Sequence, residues 1–357
     1  MKNSKKKKVP EIKAADLFCG VGGLTHGLLR GGIKVVTGVD IDETCRYPFE
    51  KNNSAKFLGK DVKELDPSVL HDLLDDAPLS MLAGCAPCQP FSTYSRGKKQ
   101  KRTNSDWELV SIFGRLVREV NPHFITMENV PSLKNHPVFE IFLESLKNYH
   151  IEWSIVDCAS IGIPQTRKRL VLLASKLGPD KLSLPNPKDS IATVRNAISN
   201  LPKLQAGQSD PEDPLHAACQ LSELNIKRIK ASRPGGTWRD WDLALRATCH
   251  KKASGGTYPS VYGRMEWDQL APTITTQCFG YGNGRFGHPE QNRAISLREA
   301  AILQTFPPNY TFLRNGENPK FHKLGRLIGN AVPVRLGEVI AETLCRHAMQ
   351  YANIISA

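Results

Sequence analysis

The chain has 357 residues, with 48 Lys+Arg against 35 Asp+Glu and a formal net charge of +13. Hydrophobic residues at 40% and charged ones at 23% are globular proportions, which excludes a disordered or collagen-like chain. No run approaches the roughly 20 apolar residues of a membrane-spanning helix, so the charge points to a polyanion rather than a membrane.

Five of the basic residues, Lys2, Lys5, Lys6, Lys7 and Lys8, form a solvated amino-terminal arm. The basic start has no apolar stretch behind it, so no secretory leader is expected and the nine cysteines read as thiols in a reducing compartment, the cytoplasm. Beyond about 250 to 300 residues a single core stops growing, so two domains are expected.

In chain order, a strand over 14–18 leads into a helix over 24–30, stopped by Gly31-Gly32. A second strand, 33–39, runs into Asp40, and another, 79–83, into the turn Gly84-Cys85-Ala86-Pro87. Apolar positions from Leu109 to Val120 predict a helix with Ser105 as N-cap, followed by strand 124–127, helix 138–148 and strands 151–157 and 170–174. After Ser175 prolines accumulate and the alternation stops, apart from helix-like stretches at 296–304 and 334–349. The pattern is α/β, with domains expected over 1–177 plus 321–357 and over 178–320.

Four motifs can carry chemistry. Asp16-Leu-Phe-Cys-Gly-Val-Gly-Gly23 is a strand-to-helix glycine turn that lets a nucleotide approach the backbone, but it lacks the third glycine of a dinucleotide fingerprint. Asp40, at the end of the next strand, suits ribose hydroxyls, and Asp61 suits an adenine amino group; a helix cap is the plain alternative for each. In Gly84-Cys-Ala-Pro-Cys-Gln89, Cys85 and Cys88 have C-x-x-C spacing, but no second ligand pair supports zinc and no helix follows to support a redox pair, so no metal is expected. Glu128-Asn129-Val130 places a glutamate at the carboxyl end of a strand, shielded on one side and suited to hold or give a proton. Gln165-Thr-Arg-Lys-Arg169 offers two arginines for a phosphate or a carbonyl oxygen.

In this order, together with Arg298-Glu-Ala-Ala-Ile-Leu-Gln-Thr-Phe-Pro307 and Gly329-Asn-Ala-Val-Pro-Val334, these motifs resemble the DNA cytosine-5 methyltransferase family, as found in bacterial restriction-modification systems or as orphan enzymes. The match covers about 14–175 and 290–345, and 178–285 falls in the family's variable target-recognition region. The resemblance implies a Rossmann-like methyltransferase sheet with a smaller, irregular target-recognition domain. It also implies S-adenosylmethionine as cofactor, double-stranded DNA as substrate, and a monomer with a possible cognate restriction endonuclease.

By the same resemblance Cys88 attacks C6 of a flipped cytosine, Glu128 holds the N3 and amino edge, Arg167 holds O2 and Arg169 a nearby phosphate. Phe18 would meet the adenine, with Gly20, Val21, Gly23, Asp40, Ile41, Asp61, Val62, Pro87, Leu109, Asn330 and Val332 completing the cofactor pocket. Ile41 stands where the family often has an aromatic residue. DNA contacts are expected from the basic loop with Ser92, Arg96 and Lys98, and from Arg239 and Arg285. Cys85 has no role in the family, so Cys85→Ala is expected to keep most activity.

Two other readings compete: a transfer-RNA cytosine-5 methyltransferase, whose motifs are similar, and a catalytically silent DNA-binding regulator. The variable stretch 178–285, about 110 residues lying between the arginine motif and Arg298, favours DNA reading. The joint presence of Cys88, Glu128 and Arg167 argues against silence.

Overall fold

The computed structural model describes residues 10–87, 105–184 and 192–355. The chain divides into two compact units, one from Met1–Asp157, Lys168–Pro187 and Val332–Ala357, the other from Cys158–Arg167 and Lys188–Ala331. The crossings fall at 157/158, 167/168, 187/188 and 331/332, where the boundaries expected from sequence stood at 177/178 and 320/321.

The strands are β1 (Ile12–Leu17), β2 (Lys34–Asp40), β3 (Lys56–Gly59), β4 (Leu79–Gly84), β5 (Phe124–Asn129), β6 (His150–Asp157), β7 (Gln165–Thr166), β8 (Lys168–Ser175) and β9 (Ala271–Pro272). The helices are α1 (Gly23–Arg30), α2 (Arg46–Asn52), α3 (Pro67–Leu74), α4 (Ser105–Val120), α5 (Pro137–Glu144), α6 (Val194–Ile198), α7 (Glu223–Ala231), α8 (Leu297–Leu303), α9 (Phe321–Asn330) and α10 (Val334–Ile355). Strands β7 and β9 and helices α6 to α9 belong to the second unit.

The first unit is a seven-stranded sheet in the order β3-β2-β1-β4-β5-β8-β6. Every pairing is parallel except those of β8, which runs against both β5 and β6. The central strand β1 is buried along its whole length, as expected of a parallel strand covered on both faces. Leu17, Leu82, Phe113, Leu116, Ile125, Phe142 and Leu172 meet in the core beside it.

Small residues seat the last helix on the first. A Cβ on Gly27 would lie 2.2 Å from Val334 O, one on Gly337 2.8 Å from Leu24 O, and one on Gly31 2.4 Å from Ala341 Cβ. The backbones of α1 and α10 touch there. Arg30 Nε adds an ion pair to Glu338 Oε1 at 2.5 Å.

The second unit has little regular ladder, so its backbone carbonyls need other donors. Arg264, 4% exposed, supplies several of them through its guanidinium, to Ile229 O, Ser232 O, His288 O and Gln291 O. Trp238, Trp241 and Tyr281 form an aromatic core nearby, with Tyr262 against it. Helix α8 is closed by a capping box between Ser296 and Glu299, and Arg293 donates to both Glu299 oxygens at 2.7 and 2.6 Å.

Most expected elements are present with shifted ends. Strand β5 runs on to Asn129, placing Glu128 inside the ladder, and β8 starts at Lys168, which brings Arg169 into it. Helices α2, α3, α6, α7 and α9 have no counterpart among the expected elements. The first four are short, and α9 carries Gly325 and Gly329, which read as loop. Packing explains both glycines: a Cβ would lie 2.5 Å from Phe279 at the first and 2.4 Å from the Thr275 and Thr276 backbone at the second.

Candidate active site at the carboxyl edge of the sheet

The strand order reverses between β1 and β4, and in open α/β sheets ligands bind outside the carboxyl ends at such a switch point. The turn after β1 holds unusual backbone there. Phe18 sits at φ +58, a conformation uncommon for an aromatic residue, with Gly20 at φ +52 and Gly22 at φ +87 leading into α1. Beside Gly20 the space is open: a Cβ built on it would meet no described heavy atom within 4 Å.

Asp40, the last residue of β2, ties this turn together. Its Oδ2 accepts from Gly20 N and its Oδ1 from Asp42 N, each at 2.9 Å. Ile41 next to it is 68% exposed. Asp61 caps the short 3₁₀ turn Val62–Glu64 by accepting from Lys63 N at 3.0 Å, so the plain role foreseen for it is realised. Val62 is buried, Leu109 on α4 half-buried and Pro87 exposed at the end of the turn after β4.

Below the turn, Asp16 is buried and accepts from Thr25 Oγ1 at 2.6 Å, while its Oδ1 has no hydrogen-bond partner. Burial raises its pKa to about 7, the Thr25 hydrogen bond opposes this, and the charge of Asp40 adds to the rise. Val332 is buried in this unit. Asn330 is the exposed last residue of α9 in the other unit.

Glu128 lies two strands from β1, at the carboxyl end of β5 and 2% exposed. Because β8 is antiparallel, its beginning reaches this same edge. Val171 is opposite Glu128 in register, and Arg169, two residues earlier on the same face, brings its Nε to 2.8 Å from Glu128 Oε1. That is ion-pair distance without hydrogen-bond alignment, and Oε1 accepts no hydrogen bond. The other oxygen, Oε2, accepts from Cys85 Sγ at 2.8 Å. Asn129 Nδ2 donates to Ala86 O at 3.0 Å and so braces the turn that continues to Pro87.

The two arginines lie in different units. Arg169, assigned to a phosphate, stands beside Glu128. Arg167, assigned to the base, is 3% exposed in the second unit, with its guanidinium nitrogens 3.4 Å from Ile274 O and Ala331 O. The break between β7 and β8 separates them: Arg167 precedes the long strand and Arg169 is part of it. Sequence reasoning also passed over Gln165 and Gln304, buried partners at 2.8 Å, where Gln304 Nε2 also donates to Ile328 O at 3.0 Å. Both lie inside quoted motifs, which was the available signal.

Arg239 is exposed but donates to Gly256 O at 2.8 Å, and Arg285 is half-buried and donates to Gly236 O at 2.7 Å. Both are braced on their own unit. Cys249 is exposed. Cys88, Ser92, Arg96 and Lys98 lie outside the described residues.

A largely parallel sheet reversing beside a glycine turn, with a carboxylate closing that turn from the next strand, is an arrangement shared by α/β nucleotide-binding folds. The chain belongs to the C-5 cytosine-specific DNA methylase family, whose model matches residues 12–346. It is 50% identical over 351 residues to the Type II methylase M.HgiDII of Herpetosiphon aurantiacus, covering 95% of this chain and 98% of that one. It is 30% identical to the Type II methyltransferase M.Eco47II of Escherichia coli, over 92% of this chain and 78% of the other. Among solved structures, the fold is shared with S. pombe Dnmt2 methyltransferase at TM-score 0.62 and 16% identity, over 96% of this chain and 99% of that one. The protein is thus a DNA cytosine-5 methyltransferase, and the readings as an RNA enzyme or a silent regulator are set aside. Among the described residues, no helix is long and apolar enough to cross a membrane.

Proposed function

We propose that this enzyme methylates C5 of a flipped cytosine in a specific duplex sequence, as the methylase of a Type II restriction-modification pair, working as a cytoplasmic monomer. The observation that carries the site assignment is Glu128: a buried carboxylate whose Oε1 accepts no hydrogen bond and is ion-paired with Arg169, at the sheet edge where β4 ends.

The cofactor fits the first unit on two observations, the open space beside left-handed Gly20 and the buried unpartnered Asp16 Oδ1 under the same turn. Phe18, the backbone of Gly20 to Gly23, Asp40, Ile41 and Val62 would hold S-adenosylmethionine. When bound, it supplies an electrophilic methyl group on a sulfonium that departs as a neutral thioether.

The protein's own groups do the rest. Cys88 thiolate forms a bond to C6, since C5 is a poor nucleophile until the 5,6 double bond is engaged. The displaced electron pair is drawn toward N3, where a proton on Glu128 Oε1 can be shared with the ring. Arg169 keeps positive charge beside the carboxylate and takes the place first given to Arg167. C5, now enamine-like, accepts the methyl group, a base takes the C5 proton, and the S–C6 bond breaks to restore the ring and the thiolate. A cysteine of ordinary pKa near 8.5 is only a few per cent thiolate at pH 7, so cationic neighbours are needed to activate Cys88.

The test is Cys88→Ala assayed with labelled cofactor on duplex DNA carrying the target sequence, itself found by bisulfite sequencing of DNA from expressing cells. Methyl transfer should vanish while DNA binding persists. A variant with undiminished turnover refutes the mechanism, and methylated RNA with unmethylated DNA refutes the choice of substrate.

A further inference from the structure

Cys85 is the residue in this edge that the mechanism leaves unused. It follows β4 directly, and the register of β4 against β5, with Gly84 beside Met127, places it alongside Glu128. Its thiol is 2.8 Å from Glu128 Oε2. A thiolate that close to a carboxylate would be repelled, and a carboxyl is the stronger acid of the two, so the shared proton belongs to sulfur. Sγ–H donates and Oε2 accepts.

This contact makes the two oxygens of Glu128 unequal. Oε2 is occupied as an acceptor, whereas Oε1 is buried and accepts no hydrogen bond. We propose that Cys85 is a positioning residue for Glu128: by holding Oε2 as an acceptor it leaves Oε1 as the oxygen that takes up and releases the proton exchanged with the base. The inference rests on the proposed role of Glu128, and it replaces the sequence-based expectation that Cys85 is dispensable.

Within this unit the groups that meet Glu128 among the described residues are Cys85 from the end of β4 and Arg169 from β8. Arg169 Nε stands 2.8 Å from Oε1 as an ion pair without hydrogen-bond alignment. Cys85 is, among the described residues, the group that donates a hydrogen bond to Glu128, and it does so at Oε2.

The experiment compares Cys85→Ala, Cys85→Ser, Glu128→Gln and the double variant C85A/E128Q in steady-state methylation across pH. Cofactor binding by calorimetry and the circular dichroism spectrum serve as folding controls. Loss of a hydrogen bond to a charged group predicts a kcat about tenfold lower in Cys85→Ala. Its KM for DNA should be unchanged. Removal of the donor should alter the pH profile of kcat. Cys85→Ser, which retains a donor, should recover most of the rate and the original profile. In the E128Q background Cys85→Ala should cost nothing more.

Wild-type kcat and pH profile in Cys85→Ala overturn the inference. So does a serine variant as slow as the alanine one, or an equal loss in the E128Q background. The role of Glu128 fails separately, if Glu128→Gln retains full turnover.

Discussion

Gly20→Ala separates what the glycine turn does for folding from what it does for the cofactor. At φ +52 an alanine occupies the left-handed region, at a cost of roughly 1–2 kcal/mol. The reduced freedom of the unfolded chain returns about 0.4–1 kcal/mol of this. The net loss is then about 1 kcal/mol, a fall in Tm of about 2–4 °C for a domain of this size. No steric term is added, because the new methyl group meets no described atom within 4 Å. If that space belongs to the cofactor, the methyl overpacks the complex by roughly 1–3 kcal/mol. At 1.4 kcal/mol per factor of ten this weakens binding about 5- to 150-fold.

The control is Gly316→Ala in the other unit, where φ is +76 and the space is equally open. Both variants should melt slightly lower by calorimetry. Only Gly20→Ala should lose affinity for S-adenosylhomocysteine in an isothermal titration. Wild-type affinity in Gly20→Ala, or an equal loss in both variants, would refute the placement of the cofactor beside Gly20.

Other outcomes follow from the same geometry. Asp16, with its pKa raised by burial to about 7, stays protonated in the folded protein to higher pH than in the unfolded chain, where about 3.9 is normal. The folded state therefore binds more protons between about pH 4 and 7, and stability declines as pH rises through that window. Asp16→Asn should remove the decline, so urea midpoints of the two proteins should diverge from pH 4.5 to pH 8; parallel curves would contradict the assignment.

In the second unit, burial pushes Glu299 up, but the hydrogen bonds and charge of Arg293 prevail and hold it below the usual carboxylate range. Glu299→Ala leaves that arginine, 0% exposed, without its carboxylate and should cost about 3–5 kcal/mol in chemical denaturation. Replacing Arg96 and Lys98 together with alanine should weaken DNA binding uniformly across sequences and flatten the salt slope by about 1 for each phosphate no longer neutralised. An unchanged slope would remove that loop from the DNA interface.

Much of the protein was legible in the chain. The α/β alternation, the glycine turn, Asp40 at a strand end and Glu128 at another follow from apolar runs and turn residues, which are local properties. The start of α8 was legible for the same reason, because it carries its own cap in the Ser296–Glu299 capping box. The short helices and α9 were not legible, because α9 is held by close backbone contacts at Gly325 and Gly329 that no periodicity records.

The sequence by itself determined which chemistry is present: a cysteine in a Pro-Cys-Gln motif, a glutamate ending an apolar strand, arginines before another strand and a basic excess for DNA. Tertiary structure decided which of these groups meet. Arg167 and Arg169 are indistinguishable by spacing, yet the reversed direction of β8 carries Arg169 to Glu128, while Arg167 is buried against carbonyls of its own unit, the second. Cys85 reads as a spare thiol until the register of β4 against β5 sets it on Glu128. Period-two alternation tells which face a strand residue occupies. Only the direction and register of the neighbouring strand tell what it faces.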